Sequence, residues 1–231
     1  MADWIATLKG DGISKGWRLP DGFVAQAETV EGIRDQLGRD LAVFSVGGAM
    51  RMVPCAVVAP VVDGEIAPLG QANPPDETGE AVIAAAGVVA CKPGWDGVVC
   101  VTGARSCWMH LSAGEVVSFQ SFASGRIATA MAVDAGPEAH FDAALAEVLA
   151  RPERLAAGLA RPDLDQARMW GCLIGAEIAA AKPYWLGQEV VVVGEMAKLY
   201  AKALKMQGVS VDVLDEQKIY VAGFTAIKDA S

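Results

Sequence analysis

The chain has 231 residues, of which 53% are hydrophobic and 20% are charged, and its formal net charge is −9 at neutral pH. This composition excludes a disordered, collagen-like or fibrous protein and supplies enough apolar residues for one large domain or two small ones. The 19 Lys and Arg residues are spread along an acidic chain, which argues against nucleic acid as a partner.

The cysteines are dispersed and contain no CxxC pair, and the chain has only two histidines with which to complete a metal site. They are predicted to be small core residues or free thiols of a reducing cytosol. The amino terminus lacks a basic leader, and the most apolar runs are about half the roughly 20 residues that a membrane helix needs. We therefore expect a cytoplasmic protein that does not associate with a membrane.

The chain opens with a predicted antiparallel meander, whose strands cover residues 4–8, 17–19 and 23–25 around a polar, Gly-rich turn. A helix over residues 30–37 and a strand over residues 41–46 are predicted next. Residues 71–80, which include Pro74 and Pro75, are predicted to be a loop, and residues 80–90 an Ala-rich helix.

The same order of elements returns about ninety residues later. A strand over residues 98–102 leads into a Gly turn, a Trp-bearing strand, a small turn, a third strand and a predicted helix over residues 124–131. Two interpretations stay open: generic meander geometry, or a duplicated architecture. The second predicts two halves, residues 1–94 and 95–231.

The last third of the chain is predicted to be helical over residues 141–149, 152–159 and 164–181. The last of these helices carries Gly171, Gly175 and Ala179 on one face, where a neighbouring backbone can approach closely. A buried strand, a glycine, a helix and another strand follow over residues 189–214. The glycine of this unit, Gly194, lies at the carboxyl end of the first strand, where open α/β sheets bind ligands.

Three glycine-bearing turns follow apolar strands, at Gly10-Asp11-Gly12, at residues 103–106 and at Gly194-Glu195. Backbone N–H groups of such turns can hold phosphate oxygens, and polar or basic side chains lie nearby in sequence. These side chains are those of Ser14, Lys15, Arg105 and Ser106. Each turn taken alone is better explained as an ordinary tight turn. The order of all three is similar to that in kinases of the actin and hexokinase type, which hold ATP between two such turns and a βα turn.

Several segments together resemble the 2-dehydro-3-deoxygalactonokinase family. They are Trp4-Ile5-Ala6, Trp17-Arg18-Leu19, Gly103-Ala104-Arg105-Ser106-Cys107-Trp108, Phe119-Gln120-Ser121-Phe122-Ala123-Ser124-Gly125, Gly171-Cys172-Leu173-Ile174-Gly175-Ala176-Glu177, Val190-Val191-Val192-Val193-Gly194 and Leu199-Tyr200-Ala201-Lys202-Ala203-Leu204. The resemblance covers most of the chain, although family members are typically longer. It implies an α/β protein of the actin-like ATPase (ribonuclease H-like) fold, with two similar halves whose mixed sheets surround a cleft for ATP and a keto-deoxy sugar acid.

The chain departs from the family pattern at the first two turns and in two further stretches. The family's first turn, Asp-Trp-Gly-Thr-Ser, has Leu8 in place of Asp, and Asp11 and Gly12 in place of Thr and Ser. Its second turn, Pro-Gly-Thr-His-Ser-Lys-Trp, keeps Gly103, Ser106 and Trp108 but has Ala104, Arg105 and Cys107 in place of Thr, His and Lys. The Arg-Gly-Glu-Glu stretch becomes Thr78-Gly79-Glu80-Ala81, and Thr-Gly-Glu becomes Ser124-Gly125-Arg126.

The resemblance implies ATP-dependent phosphorylation of 2-dehydro-3-deoxy-galactonate or a related acid. The alternative, which the departures favour, is ligand binding by a non-catalytic relative. On the first interpretation Asp11 holds Mg²⁺ and takes part in catalysis with Arg105. The implied nucleotide contacts are Gly10, Gly12, Ser14, Gly103, Ser106, Gly194 and Glu195, and the implied substrate contacts are Arg51, Glu80 and Arg126. Asp11 as a plain turn residue and Arg105 as a solvated surface residue stay open as alternatives. A homodimer is an open alternative for the assembly.

A nucleotide is expected to place its nucleoside near Gly194 and Glu195 and its phosphates toward Gly10 and Gly103. Glu195 suits a ribose hydroxyl because a carboxylate accepts hydrogen bonds. A Gly194→Val variant is expected to weaken nucleotide binding while sparing the fold.

The remaining candidates are weaker. His110 and His140 have no partner at a triad spacing, and Cys107 has one basic neighbour in sequence, so structural roles are expected for all three. The acidic residues around Glu77 are expected to belong to a helix start capped by Asp76 or Thr78.

Overall fold

A computed structural model describes residues 3–9 and 12–231 of the chain. In chain order these residues form β1 (Trp4–Leu8), β2 (Ser14–Leu19), β3 (Phe23–Ala27), α1 (Val30–Leu37), β4 (Ala42–Val46), β5 (Arg51–Met52), β6 (Cys55–Ala56), β7 (Glu65–Ile66), β8 (Leu69–Ala72), β9 (Pro75–Glu77), α2 (Ala81–Cys91), β10 (Gly97–Thr102), β11 (Ser106–Ser112), β12 (Glu115–Phe122), α3 (Ser124–Met131), α4 (Glu138–Ala150), α5 (Leu155–Leu159), α6 (Gln166–Ala180), α7 (Lys182–Trp185), β13 (Val190–Gly194), α8 (Ala197–Lys205), β14 (Val211–Val213) and α9 (Glu216–Asp229). A short 3₁₀ turn, Pro152–Arg154, precedes α5.

The first sheet has the strand order β3-β2-β1-β4-β7. The meander β1-β2-β3 is antiparallel, and β4 and β7 continue the sheet as parallel strands beside β1. Trp4 is opposite Leu19 on one side and Ala42 on the other. Strand β1 is therefore central, which accounts for the burial of all five of its residues.

The second sheet has the order β14-β13-β10-β11-β12-β6, in which β10 and β13 are parallel, as are β13 and β14. The stretch β12-β11-β10-β13-β14 repeats the order of the first sheet, with β10 in the place of β1. The similarity of the two halves inferred from the sequence is confirmed in the strand order of their sheets.

Residues 71–80 are not a loop, and this prediction is wrong. They contribute to a three-stranded sheet of order β5-β8-β9, in which Gly70 is opposite Glu77 and Ala72 is opposite Pro75. The prolines sit at the turn between β8 and β9 and at the start of β9, positions that tolerate a residue without an N–H group.

Strand β2 begins at Ser14, three residues before its predicted start. Lys15 pairs with Leu8 and Gly16 with Thr7, so the polar residues assigned to the turn extend the hairpin. Gly16 lies where a Cβ would be 2.3 Å from the Ile33 side chain, so helix α1 packs directly on this part of the strand. The segment therefore forms part of a strand, although it is polar, because it pairs with β1 in the hairpin.

The chain divides into two compact units. One comprises Met1–Asp96, Met109–Phe119 and Leu214–Ser231, and the other comprises Gly97–Trp108 and Gln120–Val213. The first has an apolar cluster around Ile5, Ile33 and Leu37, and the second a larger one around Val98, Trp108 and Ile174. The boundary between residues 94 and 95 stays a prediction about the duplicated halves.

Close helix packing occurs where the glycine stripe predicted it. A Cβ on Gly171 would lie 2.5 Å from the Phe141 carbonyl oxygen, and one on Gly175 would lie 3.0 Å from that of Leu145. Helices α4 and α6 therefore approach backbone to backbone through these two glycines.

Helix α9 was not predicted from the sequence. Asp215 caps it by accepting a hydrogen bond from the Lys218 amide, and its buried face carries Tyr220 and Phe224, which pack on Trp17. The Asp cap and the helical spacing of its apolar residues are the signals that could have located it. Within the described residues, none of the helices is long and apolar enough to cross a membrane.

Candidate functional site

The carboxyl ends of the parallel strands β10 and β13 lie side by side, with Thr102 directly opposite Gly194. Gly194 has φ +118°, and a Cβ there would lie 2.1 Å from the Thr102 carbonyl oxygen. The Thr102 hydroxyl donates to the carbonyl of Val193 at 3.2 Å. Strand packing therefore requires the glycine, and the expectation that Gly194→Val spares the fold is wrong.

The turn formed by residues 103–105 leaves β10 at this edge. Gly103 and Arg105 are half-buried, whereas Ala104 is exposed. A Cβ on Gly125 would lie 2.0 Å from the Gly103 carbonyl oxygen, and the Arg126 amide donates to the Ala104 carbonyl at 2.8 Å. The structure thus brings Gly103, Arg105, Gly194 and the start of α3 to one edge of the sheet, next to the exposed Glu195.

A buried carboxylate lies beneath this edge. Glu177 of α6 is 3% exposed. Its Oε1 accepts hydrogen bonds from the Ser106 hydroxyl at 2.5 Å and from Trp108 Nε1 at 2.8 Å. Its Oε2 accepts from the Ser124 hydroxyl and from the Tyr200 hydroxyl, the latter at 2.8 Å. Four donors from three elements satisfy the carboxylate, as burial of a charged group requires.

This network is the main feature that sequence reasoning missed. A glutamate inside the apolar run 171–178 is the signal that could have found it, since a buried acid needs donors from neighbouring elements. Burial raises the pKa of Tyr200 well above its ordinary value, and the charge of Glu177 adds to the shift. Ser106, expected at the nucleotide, is buried and directs its hydroxyl to Glu177.

Glu80 is the sequence-predicted site residue with the most unusual environment. It is the N-cap residue of α2, and its Oε1 accepts a 3.1 Å hydrogen bond from the amide of Lys9, just after β1. Its Oε2 is buried and has no hydrogen-bond partner among the described residues. Burial raises the pKa of Glu80 to about 7, although the hydrogen bond from Lys9 opposes the shift.

Arg51 does not have a free guanidinium group. Its Nη1 and Nη2 donate to the carbonyl oxygens of Ala56 and Val57 at 2.6 and 2.9 Å. These bonds hold the segment between β5 and β7, which is a structural role, and the implied substrate contact stays a prediction.

The first turn is described only in part. Gly10 and Asp11, the expected nucleotide and Mg²⁺ contacts, lie outside the described residues. Gly12 is exposed with φ +90°, which suits a turn, whereas Ser14 is buried at the start of β2. Leu8, at the position of the family's Asp, is 8% exposed and belongs to the core.

The expected cap of α2 is wrong. Asp76 accepts a hydrogen bond from the Glu77 amide, and the Thr78 hydroxyl accepts one from the Leu69 amide at 2.9 Å. Both therefore support β8 and β9 instead of the helix.

Within residues 3–9 and 12–231, no three His, Cys, Asp or Glu side chains are grouped to hold a metal ion.

The remaining polar candidates have structural partners. His140 Nδ1 lies 2.5 Å from Asp165 Oδ2, and Asp165 also caps α6 through the Arg168 amide. That amide and His140 hold the pKa of Asp165 below its ordinary value. The five cysteines are free thiols, and Cys107 is buried in β11.

The fold and the glycine-ended strands define an actin-like ATPase-type α/β protein, as the resemblance implied. The sequence profile of the family described as 2-keto-3-deoxy-galactonokinase matches residues 78–227. The chain therefore belongs to this family of sugar kinases. A search of curated proteins gave no significant match.

One solved structure shares this fold, and two others give weaker superpositions. A protein of Sinorhizobium meliloti, provisionally assigned as a 2-dehydro-3-deoxygalactonokinase, superposes with a TM-score of 0.77 at 21% identity over 97% of both chains. Component A of (R)-2-hydroxyglutaryl-CoA dehydratase from Acidaminococcus fermentans gives 0.47 at 15% identity over 100% of this chain and 99% of the other. A ROK family glucokinase from Streptomyces griseus gives 0.43 at 14% identity over 96% and 98%.

Proposed function

We infer that the chain is a sugar-acid kinase that uses ATP to phosphorylate a hydroxyl group of 2-dehydro-3-deoxy-galactonate or a related keto-deoxy acid. The observation that carries this proposal is the family match over residues 78–227. The matched region contains Glu80, the turn at residues 103–105, the start of α3 and Gly194, to which this proposal assigns the ligand contacts.

The nucleotide contacts are assigned to the carboxyl edge of β10 and β13. Backbone N–H groups of the turn at Gly103 supply donors for phosphate oxygens, and Arg105 supplies positive charge for the transferred phosphoryl group. Glu195 is exposed beside Gly194 and accepts hydrogen bonds from ribose hydroxyls. Arg126, exposed in the first turn of α3, is the cationic candidate for the carboxylate of the sugar acid.

Glu80 is assigned to the acceptor hydroxyl of the sugar acid. Its Oε2 is a buried acceptor that has no hydrogen-bond partner among the described residues, so it fits a hydroxyl or a cation. A carboxyl group whose pKa is about 7 can also accept the proton that the attacking hydroxyl releases. The chemistry that Mg²⁺ would supply there is neutralisation of the charge that develops on the phosphate oxygens. Asp11 is the carboxylate proposed to hold it.

A non-catalytic relative that binds the same ligands is the second candidate. The observation that favours it is the burial of Leu8, because an apolar core side chain cannot hold a metal ion or a water molecule where the family has Asp. On this proposal the chain retains the fold and a ligand site but does not transfer phosphate.

A coupled assay with ATP, Mg²⁺ and 2-dehydro-3-deoxy-galactonate tests both proposals, with calorimetric titration of ATP and of the sugar acid beside it. Turnover above the enzyme-free rate, lost in Glu80→Gln and retained in the exposed control Glu28→Gln, supports the kinase. Binding without turnover supports the non-catalytic relative. If neither ligand binds and no phosphate is transferred, both proposals are wrong.

A further inference from the structure

We propose that Glu177 is a positioning residue, which sets the place of the turn at residues 103–105 and of the start of α3. The inference rests on the proposed function for its phosphate contacts, but its structural part stands on the hydrogen bonds of the carboxylate alone. Glu177 acts through Ser106 and Ser124, whose hydroxyls donate to its carboxylate.

The first step is the cost of placing a carboxylate at this point. Glu177 lies among Cys100, Trp108 and Tyr200, each at most 2% exposed. An acid in such surroundings is stabilised only by donors aimed at it, and apolar residues of similar size often stabilise a core as well or better. Fold stability by itself therefore explains the presence of a glutamate at this position poorly. A role in fixing one arrangement of the neighbouring side chains explains it better.

The second step is the location of the donors. Ser106 follows the turn at residues 103–105 directly, and Ser124 is the first residue of α3. Both hydroxyls donate to the one carboxylate, the former to Oε1 and the latter to Oε2. The carboxylate thus joins the segment after the turn to the helix that packs against the turn.

The third step is the contact between that helix and the turn. Gly125 faces the Gly103 carbonyl oxygen with no room for a Cβ, and the Arg126 amide donates to the Ala104 carbonyl. A shift of α3 must therefore move the turn as well. Arg105 and Arg126 belong to these two segments. The carboxylate of Glu177 therefore fixes the backbone positions from which both cationic side chains extend.

Three variants that each delete one hydroxyl donor test the proposal. Ser106→Ala and Ser124→Ala remove the two bonds beside the turn, and Tyr200→Phe removes a bond to the same carboxylate from α8. The first readout is native tryptic cleavage after Arg105 and Arg126, relative to cleavage after the exposed Arg39. The second readout is the Kd of ATP by calorimetry, and thermal melting reports overall stability.

We expect Ser106→Ala and Ser124→Ala to raise cleavage at Arg105 and Arg126 about tenfold relative to Arg39, and to weaken ATP binding about tenfold. Tyr200→Phe should change both by less than about threefold at a comparable loss of melting temperature. Ser124→Thr, which keeps the hydroxyl, should restore the wild-type values.

Equal cleavage in all three variants would show that the network serves stability alone and would overturn the proposal. Selective cleavage with unchanged ATP affinity would also overturn it, because the turn would then move without consequence for the ligand. If the wild-type chain does not bind ATP, the proposed function fails by that measurement, and selective cleavage still establishes that Glu177 positions the turn.

Discussion

Gly87 of α2 faces the carbonyl oxygen of Ile219 in α9 so closely that a Cβ on Gly87 would lie 2.0 Å from that oxygen. The contact is reciprocal, since a Cβ on Gly223 would lie 2.1 Å from the carbonyl oxygen of Ile83. Two glycines, one on each helix, allow α2 and α9 to pack backbone against backbone. The C-terminal helix is therefore held by a contact that tolerates no side chain.

The first prediction is that Gly87→Ala destabilises the protein although alanine favours a helix. The propensity gain of about 1 kcal/mol is outweighed by an overlap whose relief costs about 1–3 kcal/mol or more. Gly175→Ala is the matched control, because its helix gains the same propensity and its nearest backbone atom would be 3.0 Å away. Chemical denaturation should show a larger loss for Gly87→Ala, and equal losses would contradict the packing argument.

The second prediction concerns Gly194. Gly194→Ala should lower the free energy of unfolding by about 3 kcal/mol, combining the cost of a positive φ with the overlap on the Thr102 carbonyl. Gly208→Ala is the control, since its φ is +75° and a Cβ there meets nothing within 4 Å. The control should lose only about 1–2 kcal/mol. A Gly194→Ala protein as stable as the control would contradict the strand contact.

The third prediction is a pH dependence caused by Glu80. The folded chain keeps the Glu80 proton up to about pH 7, whereas an ordinary glutamate releases it near 4.5. Stability should therefore fall as pH rises between these values, by up to about 3 kcal/mol.

Unfolding measured at pH 5 and pH 8 in the wild type and in Glu80→Gln checks this third prediction. The variant should lack this part of the decline and be the more stable protein at pH 8. The exposed control Glu28→Gln should follow the wild type at both values. A wild-type chain that is no less stable at pH 8 than the Glu80→Gln variant would contradict the burial of this carboxyl group.

The fourth prediction separates a structural role of Arg51 from substrate binding. Arg51→Met keeps the stem of the side chain and removes the donors to Ala56 and Val57, so it should cost about 1–3 kcal/mol of stability. Arg18→Met, which breaks a half-exposed pair with Asp3, should cost at most about 1 kcal/mol. An Arg51→Met protein of unchanged stability and raised KM for the sugar acid would support the substrate role and contradict the structural one.

The fifth prediction concerns the acid of the buried network. Glu177→Gln keeps an oxygen for Trp108 and turns an amide toward hydroxyls that can also accept, so it should lose about 1 kcal/mol. Glu177→Leu leaves the Trp108 donor without an acceptor and should lose about 3 kcal/mol or more. Denaturation curves compare the two, and a leucine variant as stable as the glutamine variant would show that the donors find other partners.

Much of the architecture could be read from local patterns. Strand β1, helix α1 and helix α3 appear over the predicted residues because their apolar spacing is a local property. The order of elements after Trp4 and after Val98 is also a local pattern, and it predicts the similar strand orders that the two sheets have. The glycine stripe of α6 likewise revealed a close contact without revealing its partner.

The family, the kind of fold and the glycine at the end of β13 follow from the amino-acid sequence alone. Which polar side chains already have partners within the protein depends on how the chain packs. Arg51 and Ser106 carry the right chemistry in the sequence, yet the carbonyl oxygen of Ala56 and the carboxylate of Glu177 accept hydrogen bonds from them. Glu177 receives its four hydrogen bonds from residues as far as 71 positions away, and such partners are set by packing, which no local spacing records.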